Sequence, residues 1–117
     1  MADGSDFFLV LRGEGVSEAF LELRFRNGAQ LCFPYDHMGW FSYSPDDGTI
    51  DFDFDGFLVT IKGRGLVPKL FDSIKARRVA WVREADTELQ DSKEFECFIE
   101  SITILEPRGE DEAPGEA

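Results

Sequence analysis

Cationic residues are scarce in this chain: 12 lysines and arginines stand against 24 aspartates and glutamates, a net charge of −12. An acidic body repels a phosphate backbone, so nucleic acid is not an expected partner. Cysteine is nearly absent, with only Cys32 and Cys97. Both fall at apolar-phase positions of expected strands, which predicts two buried, reduced thiols rather than a disulfide framework. Long apolar runs are missing as well. None approaches the ~18 residues of a membrane span. The start, Met1-Ala2-Asp3-Gly4-Ser5-Asp6, is acidic where a signal peptide would be basic. These absences predict a soluble, cytoplasmic protein without a membrane partner.

What is present suits a single folded unit. The 117 residues are 43% hydrophobic and include 12 phenylalanines, enough for a core without staples. Residues 1–105 read as one domain. Residues 106–117 hold five acids, one arginine, two prolines, two glycines and no large apolar side chain, the composition of a disordered acidic tail.

The most informative stretch is Thr49 to Gly63, T-I-D-F-D-F-D-G-F-L-V-T-I-K-G. Apolar and acidic residues alternate up to Asp55-Gly56, and a second alternating run follows from Phe57 to Ile61. Period-two alternation around Asp-Gly predicts a hairpin with a two-residue loop. Its register sets Phe54 against Phe57, Phe52 against Val59 and Ile50 against Ile61, all on one face. The other face carries Thr49, Asp51, Asp53, Leu58, Thr60 and Lys62.

Neighbouring segments extend the pattern. Phe7 to Leu11 reads as a covered strand. Leu21, Leu23 and Phe25 alternate with Glu22, Arg24 and Arg26, and a three-residue loop at Asn27–Ala29 keeps Leu31 and Phe33 on the same apolar face. Pro34 to Gly39 predicts a loop or a single helical turn. Trp40 to Ser44 is a strand with Phe41 and Tyr43 inward, joined through Pro45-Asp46-Asp47-Gly48 to the central hairpin. Leu66, Leu70, Phe71 and Ile74 follow helical spacing over residues 66–76, with Pro68 in the first turn and Lys75, Arg77 and Arg78 at the C-terminal end. Val79 to Val82 returns to strand, and residues 85–94 read as a polar loop. In residues 94–105 the alternation slips phase between Ile99 and Ile102, which predicts a bulged strand. A helix capped by Asp91 and Glu94 is the competing reading. The expected fold is α+β: an antiparallel meander of about 6–8 strands curled around one helix at 66–76.

Candidate chemistry is thin. Asp51-x-Asp53-x-Asp55-Gly56 matches the first half of a calcium loop, but Lys62 stands where the bidentate acid belongs. Alternate strand side chains lie ~7 Å apart, too far to share one ion without a bend. An acidic solvent face explains the same residues. His37, the only histidine, stands beside Asp36 and could act as a general base in a hydrolase, yet no nucleophile context accompanies it. Gly63-Arg64-Gly65 before a helix hints at a phosphate cradle, but Pro68 replaces the third glycine of the dinucleotide fingerprint and no P-loop lysine follows. Arg24, Arg26, Arg64, Lys69, Arg77, Arg78 and Arg83 would interest an anionic ligand only if they shared a face. Trp40 and Leu58 fall on the outer face of the meander, where an anchor beside acids suits protein contacts.

F-R-N-G-A-Q-L-C-F-P-Y, V-T-I-K-G-R-G-L and R-R-V-A-W-V-R-E, within Leu23 to Glu84, resemble a small bacterial family of uncharacterised domains. The resemblance implies a bacterial, cytoplasmic setting and brings no catalytic residue. The expectation is a non-catalytic binding or accessory module without a cofactor. Its contact would be Trp40/Leu58 or an unpaired strand edge, and its partner another protein or a second copy of the chain. Calcium binding by Asp51, Asp53 and Asp55, and hydrolysis around His37 and Asp36, are the alternatives.

Overall fold

Turn chemistry sets the central ladder. The computed structural model describes residues 2–4, 6–11, 13, 15, 17–86 and 95–106. In it β6 (Thr49–Phe54) and β7 (Phe57–Arg64) pair in the register dictated by the Asp-Gly corner: Phe54 opposite Phe57, Phe52 opposite Val59, Ile50 opposite Ile61. Asp55 and Gly56 both have positive φ, 54° and 93°, the backbone of a type I′ turn. The Asp53 carboxylate accepts the Gly56 N–H at 3.0 Å and locks the corner. On one side β5 (Met38–Ser44) joins, with Phe41 opposite Phe52 and Tyr43 opposite Ile50. The Gly48 N–H closes that loop on the Ser44 carbonyl at 2.9 Å. On the other side β9 (Phe98–Leu105) joins β7, and its register slips where Lys62 meets Ser101 but Gly63 meets Ile99. Glu100 is therefore the extra residue of a bulge, the phase slip read in the sequence. A side chain at Gly63 would overlap the Phe98 carbonyl oxygen, so glycine is needed for this approach.

The remaining strands make a second layer. A five-stranded sheet runs β1 (Ala2–Gly4), β2 (Phe8–Leu11), β8 (Val79–Arg83), β3 (Phe20–Arg24), β4 (Gln30–Pro34), and the four-stranded sheet runs β5-β6-β7-β9. The expected continuous meander is thus confined to β5–β7. Pro34 and the 3-10 turn Tyr35–His37 carry the chain from one sheet to the other, and β3 and β8 pair in parallel through Glu22–Trp81, Leu23–Val82 and Arg24–Arg83. The β3–β4 hairpin also differs in detail. Its loop has three residues but they are Arg26 to Gly28, because Phe25 bonds Ala29 and Leu23 faces Leu31. The Asn27 side chain accepts the Ala29 N–H at 2.9 Å and fixes that placement. Parity, and with it the apolar face, is as expected.

Between the layers lies one core. Phe33 of β4 stacks on Phe54 of β6 with centroids 4.6 Å apart and planes 5° from parallel. Phe7 meets Phe98 edge-on at 5.2 Å. Ile50, Phe52, Val59, Ile61, Leu21, Leu23, Val79 and Val82 are fully buried. Each such side chain contributes roughly 1.5–3 kcal/mol of transfer free energy. Helix α1 (Lys69–Lys75) is shorter than the 66–76 expected. Seven residues are too few to be helical alone, so tertiary packing holds it. Leu70 and Ile74 are buried, as is Leu66 just before the helix, and Phe71 packs on Phe41 at 4.8 Å. Arg77 then takes a left-handed φ of 60° to end the helix, with the Arg78 N–H returning to the Ser73 carbonyl at 2.9 Å.

Cys97 is buried but Cys32 is exposed, a correction to the expected pair of buried thiols; the two are not joined in a disulfide. Cys32 faces Glu22, the polar side of the sheet. Among the described residues no helix is long and apolar enough to cross a membrane. The Asp91/Glu94 cap, most of the loop at 85–94 and the tail beyond Glu106 lie outside the described residues.

Candidate functional site

The three aspartates of the central hairpin do not converge. Asp51 accepts hydrogen bonds from the Thr60 and Thr49 hydroxyls, Asp53 serves the turn amide of Gly56, and Asp55 lies 2.8 Å from His37 Nδ1. Among the described residues no group of three or more His, Cys, Asp and Glu side chains is placed to hold a metal ion. His37 therefore meets Asp55 rather than its sequence neighbour. Asp36 pairs instead with Arg77, and the Tyr35 hydroxyl donates to the Val79 carbonyl at 2.8 Å. Three consecutive side chains thus fasten the crossover to the five-stranded sheet, the helix end and the hairpin tip. Burial raises the Tyr35 phenol far above its ordinary value; Glu18 acts in the same direction and Arg77 opposes it.

The basic residues are dispersed and engaged. Arg24 lies over the Trp81 ring at 4.4 Å and pairs with Glu22 at 2.6 Å. Arg26 reaches Glu84 and the Glu100 carbonyl, Arg64 the Phe95 carbonyl, Arg78 the Leu11 carbonyl and Arg83 the Asp6 carbonyl. Gly63 is a ladder residue rather than part of a cradle. A shallow depression of about 320 Å³ beside the helix start is lined by Gly65, Val67, Pro68, Lys69 and Glu96, and a helix this short has little dipole to offer an anion.

The outer face of the four-stranded sheet carries the more distinctive arrangement. A bulge between Met38 and Phe41 sets Gly39 and Trp40 together opposite Asp53. Asp53 pairs with Leu58, and Leu58 with Leu105. Trp40, Asp53, Leu58 and Leu105 form one row across four strands, about 14 Å at the usual strand spacing. Trp40 is 56% exposed and Leu105 63%, while Leu58 is half-buried. Leu105 was missed in the sequence, although its outward phase follows once the bulge at Glu100 is placed. The ion pairs among the described residues are Arg24–Glu22, Arg26–Glu84, Arg77–Asp36 and His37–Asp55. Asp46, Asp47, Asp51 and Asp53 belong to none of them. On this face Lys62, opposite Thr49, is the nearby cation.

No family model, curated protein or solved structure matches the chain, so the geometry alone carries the functional argument.

Proposed function

We propose that this chain is a small non-catalytic binding module that acts through protein contacts, with the Trp40–Leu58–Leu105 row as its contact surface. The observation that carries the reading is an exposed tryptophan in line with two leucines on an open sheet face rimmed by unpaired aspartates. Tryptophan beside aliphatic groups is the composition of a contact hot spot, and monomeric surfaces seldom line up such residues without use. The separate engagement of Asp51, Asp53 and Asp55, and the diversion of Asp36 to Arg77, give the calcium and hydrolase readings no support. The resemblance over Leu23 to Glu84 fits an accessory domain and adds no activity.

The test compares proteins captured by the wild-type chain with those captured by Trp40→Ser, Leu105→Ser and, on the opposite sheet, the exposed Phe20→Ser. A partner retained by Phe20→Ser and lost by the other two supports the reading. Capture indifferent to Trp40 and Leu105 removes it. Sedimentation over a concentration range identifies a second copy as the partner if a dimer forms and Trp40→Ser dissolves it.

A further inference from the structure

The four-stranded sheet ends in two edges that are treated differently. Along β9 the outer backbone is already occupied: the Ala85 N–H donates to the Ile99 carbonyl, Arg26 Nη2 to the Glu100 carbonyl, and the Ile102 N–H to Glu84 Oε2. Along β5 the situation is reversed. Among the described residues its strand neighbour is β6. The Met38 N–H turns back to the Tyr35 carbonyl, and no hydrogen bond of the described residues reaches Gly39–Tyr43 from the other side. An open edge is a template for another strand unless something blunts it. The bulge at Gly39-Trp40 disrupts its first half, which leaves Phe41 to Ser44 as regular ladder. In the other sheet the edge strand β4 ends in Pro34, which has no donor, and borders the Arg24–Glu22 pair.

We infer that β5 accepts an extended, basic segment of a partner protein by strand addition, a conclusion that rests on the binding-module reading. The β5 edge and the Trp40 row, alternatives in the sequence, are one place in the structure because Trp40 stands on β5 itself. A strand laid beside Phe41–Ser44 projects alternate side chains over the same outer face. There it meets Trp40, Asp51 and Asp53, neither aspartate being in an ion pair among the described residues. Lysine or arginine at those alternate positions reaches the aspartates, and their aliphatic stems lie against the indole. An acidic segment is repelled by the same groups. Charge complementarity thus selects the occupant, and the backbone edge sets its extended form.

The probes are three decapeptides titrated into the 15N-labelled chain. One alternates lysine and valine, one alternates glutamate and valine, and one is the lysine–valine peptide with N-methylated alternate amides. The lysine–valine peptide is expected to shift the Trp40 indole and the amides of Phe41–Ser44, and to slow their hydrogen exchange. The glutamate peptide and the N-methylated peptide should each bind at least tenfold more weakly. Asp51→Asn with Asp53→Asn should weaken the lysine–valine peptide about tenfold, and so should raising the salt from 50 to 300 mM. Equal binding of the N-methylated peptide overturns strand addition, and equal binding of the glutamate peptide overturns the basic partner. Failure of all three peptides overturns the inference. In that event Trp40-dependent capture in the preceding experiment still upholds the module, and its absence removes both.

Discussion

The five-stranded sheet is latched from outside by side chains, whereas the β5–β7 meander of the four-stranded sheet is specified by its own turns. In the first, Arg24 bridges Trp81 and Glu22 across β3 and β8, Arg83 lies over Phe7 at 5.2 Å, and Arg78 reaches the carbonyl of Leu11. In the second, the Asp55-Gly56 and Pro45–Gly48 loops set two registers, and the outer aspartates touch only hydroxyls or turn amides. The difference follows from chain order. β3 and β8 are more than 50 residues apart, so their parallel pairing repays a large loop-closure entropy with contacts that no local turn supplies. Hairpins close cheaply and leave their outer face available for other use. Most of the arginine contacts therefore fall on the five-stranded sheet, Arg64 of β7 being an exception. Asp51 and Asp53, in no ion pair of the described residues, stand on the other.

The severest challenge to that division is to cut the seam between the sheets. Phe54→Ala removes a fully buried ring stacked on Phe33 and is expected to destabilise the fold by about 3–5 kcal/mol. Urea denaturation followed by tryptophan fluorescence and by circular dichroism provides the check. Trp81 lies in one sheet and Trp40 in the other. A single coincident transition means that the sheets unfold as one unit, and separated transitions would show that each is stable alone.

A narrower break is Glu84→Ala. One Glu84 oxygen accepts the Arg26 N–H and the other the Ile102 N–H, both at 2.9 Å, so a single carboxylate joins the end of β3 to the bulged edge of β9. Removing it leaves the part-buried Ile102 N–H without its acceptor, while water can reach the exposed Arg26 N–H, and is expected to lower stability by about 1.5–2.5 kcal/mol. Glu84→Gln keeps one acceptor oxygen and should lose roughly half as much. Hydrogen exchange resolves the effect by residue: Ile102 should lose protection in Glu84→Ala while Phe52 keeps it.

How much of this was legible follows the same division. The β5–β6 and β6–β7 ladders are written in neighbouring residues, because period-two alternation and turn chemistry act within about ten residues. Of the β7–β9 ladder, whose partners lie far apart in the chain, only the phase slip at the bulge was legible. The strand order of the five-stranded sheet was not. Val79–Val82 reads as a strand from its apolar run, but nothing in V-A-W-V says that it lies between β2 and β3, parallel to one and antiparallel to the other. Cys32 was misplaced although the register that sets Leu31 and Phe33 on one face already turns it to the other, opposite Glu22. The Trp40 and Leu58 outer positions were legible as phases. Leu105, and the coincidence of Trp40 with an open edge, required the bulges and the sheet order.

The crossover between the sheets provides a smaller, pH-dependent test. Tyr35→Phe removes the hydrogen bond to the Val79 carbonyl and is expected to cost about 1–1.5 kcal/mol at neutral pH. Because burial raises the folded-state phenol above its unfolded value of about 10, the folded chain keeps the proton that the unfolded chain releases. The stabilisation is complete below pH ~10 and is lost as the pH rises beyond it. The gap between wild type and Tyr35→Phe should therefore narrow above pH ~10. A gap constant to pH 11 would show that the ring is not sealed between the layers.

The smallest effect belongs to the residue that looked most like chemistry. His37 is 54% exposed and its partner Asp55 61%, even though their contact is only 2.8 Å. Solvent screens an exposed pair of this kind, and such pairs contribute at most about 1 kcal/mol. His37→Ala should accordingly shift the urea midpoint only slightly, and 0.5 M sodium chloride should erase most of what difference there is. Asp55 also occupies a left-handed turn position, so Asp55→Asn, which tolerates that backbone, is the matched change on the other side of the contact. The double variant should then lose no more than the larger single, since both remove one contact. A loss above about 2 kcal/mol in His37→Ala would mean that the hairpin tip needs an external latch, as β3 and β8 do, and the distinction between a latched sheet and a self-specified one would fail at its clearest point.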